Sequence, residues 1–465
     1  MADTSDESSV SALDQFRQFL ALEPDILVLS LAMFAFSLGF QMTSRFLPQY
    51  LVELGASGLV VGLFGTFGNV ISAVYPYPGG AVSDRIGSRH ALTLFGLCST
   101  LGFALWFVAP QVGTVTVGPV AVAPWVWVFV GLFLAQAWKS FGLGATFAVV
   151  KQATSPSKLA AGFASTETFR RTAFLVGPVL AAVLIGLDSR FTVSFQYVLA
   201  VGVCFGALGT LAQHRLYDAS EDSLGDSFEG LDQIRTDLRE MPSPLRPLLV
   251  GDTLVRFANG MVYVFFILVV TEFLGVGLET TLAVGDWTYA VDLSPAAFFG
   301  YLLGVEMLVA LLVMAPAAKL AERVGLKPVV ALGFAVYAVF PVILIGAPES
   351  ALALVLIFAF SGLRFAGLPS HKALIVGPAE QGTGGRVTGT YYLLRNTVVI
   401  PSAALGGVLW DGLTIPVTFL GVSLPLGGFT VWTGDPTVAF TVATVVGLAG
   451  TGYFLVFGEE FEAYA

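Results

Sequence analysis

Lys139, Arg170, Glu306, Arg364 and Arg395 all fall inside long apolar runs, where charge is hardest to keep. An ion there needs a partner, a water-filled cavity or a ligand, so each marks a candidate binding or proton-handling position. Four bases facing one cavity would repel one another unless acids or an anion stood among them. An uncompensated set would favour a carboxylate or phosphate group on a solute. The bland alternative is that the cations join inter-helix ion pairs closing one side of the protein. Glu306, near the middle of its run, suits the binding and release of a proton, with a buried ion pair as its alternative. Glu167–Arg171 and Asp252–Arg256 stand at i, i+4 with the acid first, so each pair partly neutralises itself along one helix. Arg45, just before Pro48, reads as a residue that snorkels to lipid headgroups.

Other chemistries find no footing in the sequence. His90, His214 and His371 are scattered beside helix ends and make no metal cluster. Cys98 and Cys204 lie in apolar runs without CxxC spacing. No GxxxxGK[ST] loop and no Ser/His/Asp grouping appears, so no enzyme, metal or cofactor is expected. The net charge of −10 argues against nucleic acid as a partner.

The elements that carry these residues follow from composition. Of 465 residues 56% are hydrophobic and 12% charged, with mean hydropathy +0.82. The apolar residues come in runs of about 20, the length a helix needs to cross a bilayer. Runs at 26–46, 58–78, 91–109, 125–149, 165–187 and 192–212 are followed by a polar stretch. A second set lies at 249–274, 296–317, 328–346, 351–376, 387–410 and 437–457. The fold expected is an all-α membrane protein with twelve transmembrane helices in two pseudo-symmetric six-helix bundles. Its divisions are a tail at 1–25, bundles at 26–213 and 248–458, a linker at 214–247 with an amphipathic surface helix, and a short tail at 459–465. The first tail has no basic n-region before a short apolar core, so it reads as a cytoplasmic tail and not a cleaved signal. Arg85, Arg89, Lys319, Arg323, Lys327 and most other loop bases fall on one side, whereas the opposite connections hold only Arg190. The positive-inside rule therefore puts the first side, both termini and the linker in the cytoplasm.

Internal repetition ties the halves together. Asp84, Arg85, Gly87 and Arg89 are matched by Glu322, Arg323, Gly325 and Lys327 at a constant shift of 238. Positions 139–184 fall on 364–409 at a shift of 225, so Lys139 meets Arg364 and Arg170 meets Arg395. Arg170, Ala173, Gly177 and Ala181 form one helical stripe, repeated by Arg395, Val398, Ser402 and Gly406. Small residues there, with Pro178, Ala182 and Gly407, let helices approach and bend. Both arginines should therefore point into protein, and the repeat-related cations should approach one another across a pseudo-twofold axis. Asp84, in a glycine-rich turn after Gly80, is placed to meet a helix N-terminus or a base.

The loop Gly80-Ala81-Val82-Ser83-Asp84-Arg85-Ile86-Gly87-Ser88-Arg89 resembles the motif between the second and third helices of the major facilitator superfamily. The resemblance runs from about residue 26 to 458. It implies a secondary transporter of the plasma membrane, acting as a monomer by alternating access, with a gating role for the Asp84 loop and a lesser one for Glu322. In the superfamily's drug/proton antiporters the fourth helix carries an arginine four residues before a glycine; here Lys139 stands three before Gly142. Their fifth helix carries a glycine series around Gly-Pro; here it is Ala164, Ala173, Gly177-Pro178 and Ala181-Ala182. The resemblance implies a small-molecule substrate and a coupling ion, with proton-coupled export the first expectation. Uptake or exchange of an organic anion is the alternative, and a non-transporting sensor or assembly factor a remote one.

Overall fold

The computed structural model describes residues 24–75, 82, 85–117, 120–141, 159–217, 243, 245–284, 287–376, 384–415, 418–419, 422–423 and 429–460. Some of these, including Glu167, Arg170 and Arg171, are described by backbone only. Gly80, Asp84 and the amphipathic helix expected in the linker lie outside the described residues.

In the first half, α1 (Pro24–Thr43) and α2 (Leu47–Glu53) form one bent run. They are followed by α3 (Gly58–Val74), α4 (Ser88–Val112), α5 (Trp125–Ala135), α6 (Leu159–Ile185) and α7 (Phe191–Leu216). The second half begins with α8 (Leu245–Val262), prolonged by 3-10 and π turns to Phe273, and continues with α9 (Pro295–Val324) and α10 (Leu326–Ile345). A 3-10 turn joins α11 (Ala351–Gly362) to α12 (Leu368–Val376), a break at Pro401 separates α13 (Gly384–Val399) from α14 (Ser402–Asp411), and α15 (Pro436–Phe457) ends the series. Taking each bent or broken run once, the order is six helical segments, a linker and six more. Among the described residues eight helices are long and apolar enough to cross a membrane, or nine if α1 and α2 count as one span.

Connections alternate between two ends of the bundle. One end carries antiparallel hairpins: β1 (Val115–Val117) with β2 (Val120–Val122), and β3 (Leu278–Val284) with β4 (Trp287–Leu293), in register from Leu278↔Leu293 to Val284↔Trp287. After α14, β5 (Leu413–Ile415) pairs with β8 (Phe429–Trp432), and β6 (Thr418–Phe419) with β7 (Val422–Ser423). These strands stand where the sequence reading had plain connections. Three helices entering from this end start on side-chain caps: Ser57 accepts from Val60 N–H, Ser294 from Ala297 N–H and Asp435 from Thr437 N–H, satisfying donors that a first turn leaves open.

The opposite, basic end is built differently. Gly87 and Gly325, paired by the 238 shift, both sit at positive φ (81° and 91°) just before α4 and α10, where only glycine fits easily. Glu322 and Arg323 do not stand in the turn itself. At about 1.5 Å per residue the 30-residue α9 is about 45 Å long, beyond the roughly 30 Å hydrocarbon layer. Both residues are exposed on the part that overshoots.

Candidate functional site

A cavity of about 1000 Å³ lies between the halves. It runs from Leu47 and Pro48 towards the hairpin end to Ser72 and Lys372 towards the basic end. Its wall from the first half carries six aromatic rings, Phe36, Phe40, Phe64, Trp106, Trp138 and Phe174, beside polar side chains such as Gln41, Asn69 and Gln136. Phe36 stacks on Trp138 with ring centroids 4.4 Å apart. The second half supplies Arg256, Glu306, Tyr337, Arg364 and Lys372.

Lys139 and Arg364, paired by the 225 shift, both line this cavity. Each sits where its segment leaves regular α-helix, Lys139 in the π turn Ala137–Phe141 and Arg364 in the 3-10 turn Leu363–Phe365. Lys139 Nζ lies 5.5 Å from the Phe40 ring centroid. Arg364 forms a buried ion pair through Nη2 with Glu306 Oε1, both side chains 2% exposed. Ser361 donates to the other Glu306 oxygen at 3.2 Å. Glu306 therefore stands in the buried ion pair that the sequence reading held as its alternative. Arg364 is left with Nε and Nη1 buried and without hydrogen-bond partners among the described residues. Tyr337 and Phe365 each hold its guanidinium about 5.0 Å from their ring centroids.

A second cluster stands beside it. Asp252, fully buried, pairs with Arg256 Nε at 3.3 Å, as its helical spacing implies. It does much more. Its Oδ2 also takes Arg395 Nη1 at 3.1 Å, His371 Nε2 at 3.2 Å and the Tyr391 hydroxyl at 3.1 Å. One carboxylate thus holds groups from α8, α12 and α13, and two guanidiniums against one acid leave a net positive charge. His371, read as a residue beside a cytoplasmic helix end, is 3% exposed within this cluster. Arg256 Nη1 donates to Tyr337 Oη at 3.1 Å, and Tyr337 lies under both Arg256 and Arg364, so it joins the two clusters. A side pocket of about 240 Å³ opens between α3, α8 and α13, lined by Asn69, Asn259, Arg395 and Asn396 among others.

Arg45 overturns the snorkelling reading. It lies at the bend between α1 and α2, lines the cavity, and stacks 3.9 Å from the Tyr263 ring centroid of the second half. Arg395 turns inward, yet Val398 is 53% exposed, so the stripe through Arg395, Val398, Ser402 and Gly406 is not continuous. The break at Pro401 also puts Ser402 and Gly406 on α14, apart from Arg395 and Val398 on α13. Arg170, Arg171 and Glu167 lie on α6, and their side chains are outside the described residues.

The halves close on each other at the hairpin end. A methyl on Gly62 would lie 2.5 Å from the Ala403 carbonyl oxygen, and one on Gly407 would lie 3.1 Å from Gly62 Cα. Gly300 of α9 approaches the Pro178 carbonyl and the Ala182 side chain of α6 just as closely, while Gly177 packs on Gln41 and Gly406 on Met261. Ala181 and Ala182 are fully buried. Two polar contacts cross the same seam. Ala404 N–H, left open by the Pro401 break, donates to Thr66 Oγ1 at 2.9 Å. Leu59 N–H, in the first turn of α3, donates to Asp411 Oδ2 at 3.2 Å, which sets a carboxylate against a helix N-terminus.

At the basic end Arg85 is exposed, while Arg89 Nε donates to the His214 carbonyl at 2.8 Å and ties α4 to α7. In the second half the anion at the helix N-terminus after Gly325 is Glu460. It accepts from Leu326 N–H at 3.0 Å and Lys327 N–H at 2.8 Å, the place where the repeat would put a partner for Glu322. Among the described residues no group of three or more His, Cys, Asp or Glu is arranged to hold a metal.

A sequence model of the Major Facilitator Superfamily matches residues 29–396. An uncharacterized MFS-type transporter of Methanocaldococcus jannaschii is 20% identical over 402 residues, 86% of this chain and 91% of that one. An uncharacterized MFS-type transporter of Mycobacterium tuberculosis is 29% identical over 187 residues, 40% of each chain. Among solved structures, the nucleoside transporter NupG superposes with a TM-score of 0.69 at 14% identity, over 93% of this chain and 100% of that one. A POT family transporter in complex with 5-aminolevulinic acid gives 0.68 at 13% identity, over 95% and 99%. At such identities the structural likeness speaks for the fold alone.

Proposed function

The chain belongs to the Major Facilitator Superfamily, a multi-pass membrane transporter of the secondary type, and from that premise we propose that it carries a small organic anion together with a proton. The observation that supports this is Arg364: buried, facing the cavity, and tied to Glu306 through only one of its nitrogens. A carboxylate of the solute can take the open guanidinium edge bidentately. Drawing Arg364 towards it weakens the hold on Glu306, and a buried carboxylate losing its cation is favoured to take up a proton. Proton and anion then bind together, and release of one loosens the other. Coupling of this sign moves both in one direction, so a proton gradient drives uptake.

The positive-inside distribution of loop bases supports assigning the hairpin end to the outside, with both termini and the linker in the cytoplasm. On that assignment the cavity, sealed by the Gly62–Gly407 and Gly300–Pro178 approaches, faces the cytoplasm. Transport then requires the hairpin end to part while the basic end closes, with the two six-helix bundles moving as units and one copy of the chain sufficing.

Proton-coupled export is the second reading, supported by the small residues around Gly177-Pro178 and by the aromatic wall, which suits an apolar solute. There the solute and the proton compete for Glu306. Counterflow into proteoliposomes with a panel of labelled small carboxylates tests the first reading. An inwardly directed proton gradient should accelerate entry of at least one of them, and Arg364→Ala should abolish it. Absence of any carboxylate flux, or flux opposed to that of protons, would overturn it.

A further inference from the structure

Arg45 has no place in the account so far, and its surroundings give it one. The residue sits where the first span bends, a position that frees its side chain from helical neighbours and turns it into the cavity. Its guanidinium carbon lies over the Tyr263 ring, 3.9 Å from the centroid, and Tyr263 begins the 3-10 turn in which the run from α8 leaves regular α-helix. Two repeat-related runs therefore break at the cavity, and a cation from one covers an aromatic ring from the other. Arg45, Tyr263 and Arg364 all line the one cavity, so it holds a guanidinium from each half.

Both cations are incompletely served. Arg45 Nη1 is buried with no hydrogen-bond partner among the described residues, as are Nε and Nη1 of Arg364. Buried guanidinium N–H groups without acceptors are costly, and proteins satisfy nearly all such donors. Glu306 is the one carboxylate among the described cavity-lining residues, and Arg364 already holds it. No further carboxylate among the described cavity-lining residues is left to accept from them, and a solute entering the cavity can.

We propose that Arg45 and Arg364 form a two-pole clamp for a solute with two separated acidic groups, of the dicarboxylate class. This rests on the anion reading above and deepens it: Arg364 receives the first acidic group and Arg45 the second. A solute held at both poles touches both halves of the protein at once. Binding energy gained at Arg45 is then available to bring the halves together around the solute, whereas a monoacid engages Arg364 alone.

The test uses the purified full-length protein and follows fluorescence of the cavity tryptophans Trp106 and Trp138. The probes are the diacids malonate, succinate, glutarate and adipate, each paired with the monoacid of equal carbon number, propionate to hexanoate. At least one diacid should bind tenfold or more tighter than its monoacid. Arg45→Gln should bring that ratio to within threefold of unity while leaving monoacid affinity within threefold of wild type, which also shows that the variant is folded. Arg45→Lys, keeping charge without the planar fork, should retain part of the preference. A diacid preference that survives Arg45→Gln, or monoacids binding as well as every diacid in the wild type, overturns the clamp and leaves the Arg364 site standing. If neither class binds, the anion reading itself fails and the clamp falls with it.

Discussion

Lys139 and Arg364 occupy matched positions in the two halves, each in a turn where its run leaves regular α-helix, yet they meet different surroundings. Arg364 has a buried acid across from it and three aromatic rings around it. The 238 shift places Gly68 where the second half has Glu306, and Gly68 lines the same cavity. The first half thus contributes space and an aromatic wall where the second contributes a carboxylate and its guanidinium. Duplication supplies two matched frames, and among the described cavity-lining residues the carboxylate stands in the second one only.

Removing one cation from each half is the severest challenge to that contrast. Arg364→Ala leaves Glu306 buried without its counter-ion, a loss of roughly 3–5 kcal/mol, and should lower Tm strongly as well as end anion transport. Lys139→Ala, at an exposed side chain where Arg364 is buried, should shift Tm by much less and keep measurable counterflow. Equal damage from the two would mean that the halves are not divided as described.

Asp252→Asn probes the same division within the second half. The amide cannot balance Arg256 and Arg395, so thermal stability should drop. The drop should be smaller than for Arg364→Ala, because these guanidinium side chains keep 24% and 16% exposure. Removing one of the now opposed cations with Arg395→Gln should restore part of it. If the double variant is less stable than Asp252→Asn alone, the cluster is not held by charge balance.

The smallest effect is expected at the seam where the halves touch. Asp411→Asn removes the charge facing the α3 N-terminus, worth about 0.3–1 kcal/mol, so opening at the hairpin end should become about two- to fivefold more populated. Ser44 lines the cavity beneath that seam. A cysteine at Ser44 should be labelled correspondingly faster from the hairpin side by an impermeant thiol reagent. An unchanged rate would show that glycine packing alone keeps that end shut.

Much of this architecture is legible in the chain, because an apolar run of about 20 residues has few alternatives to a spanning helix. The repeat offsets also carry structural meaning: they lead from Gly87 to Gly325, two matched backbone conformations, and from Lys139 to Arg364. What escapes is of three kinds. The i, i+4 spacing explains Arg256 but hides the rest of the Asp252 cluster, since its other partners, His371, Tyr391 and Arg395, lie far along the chain, the last two 139 and 143 residues away. Asp411 meets Leu59 across 352 residues, a contact that no local period announces. The β3–β4 hairpin does leave a signal, with Thr280, Thr281 and Val284 before Gly285-Asp286, but the strong helical pattern on either side obscures it. Arg45 is the instructive error. A cation near the end of a span usually reaches for headgroups, but the bend before Leu47 redirects it inward.

The central claim is that anion and proton bind together at Arg364 and Glu306, and the sign of proton exchange on binding tests it most directly. The purified protein, weakly buffered with a pH indicator, would be titrated with the carboxylate giving the strongest counterflow. The account predicts uptake of about one proton per anion bound, and none in Glu306→Gln. Protons released on binding, or an uptake that Glu306→Gln leaves unchanged, would contradict it.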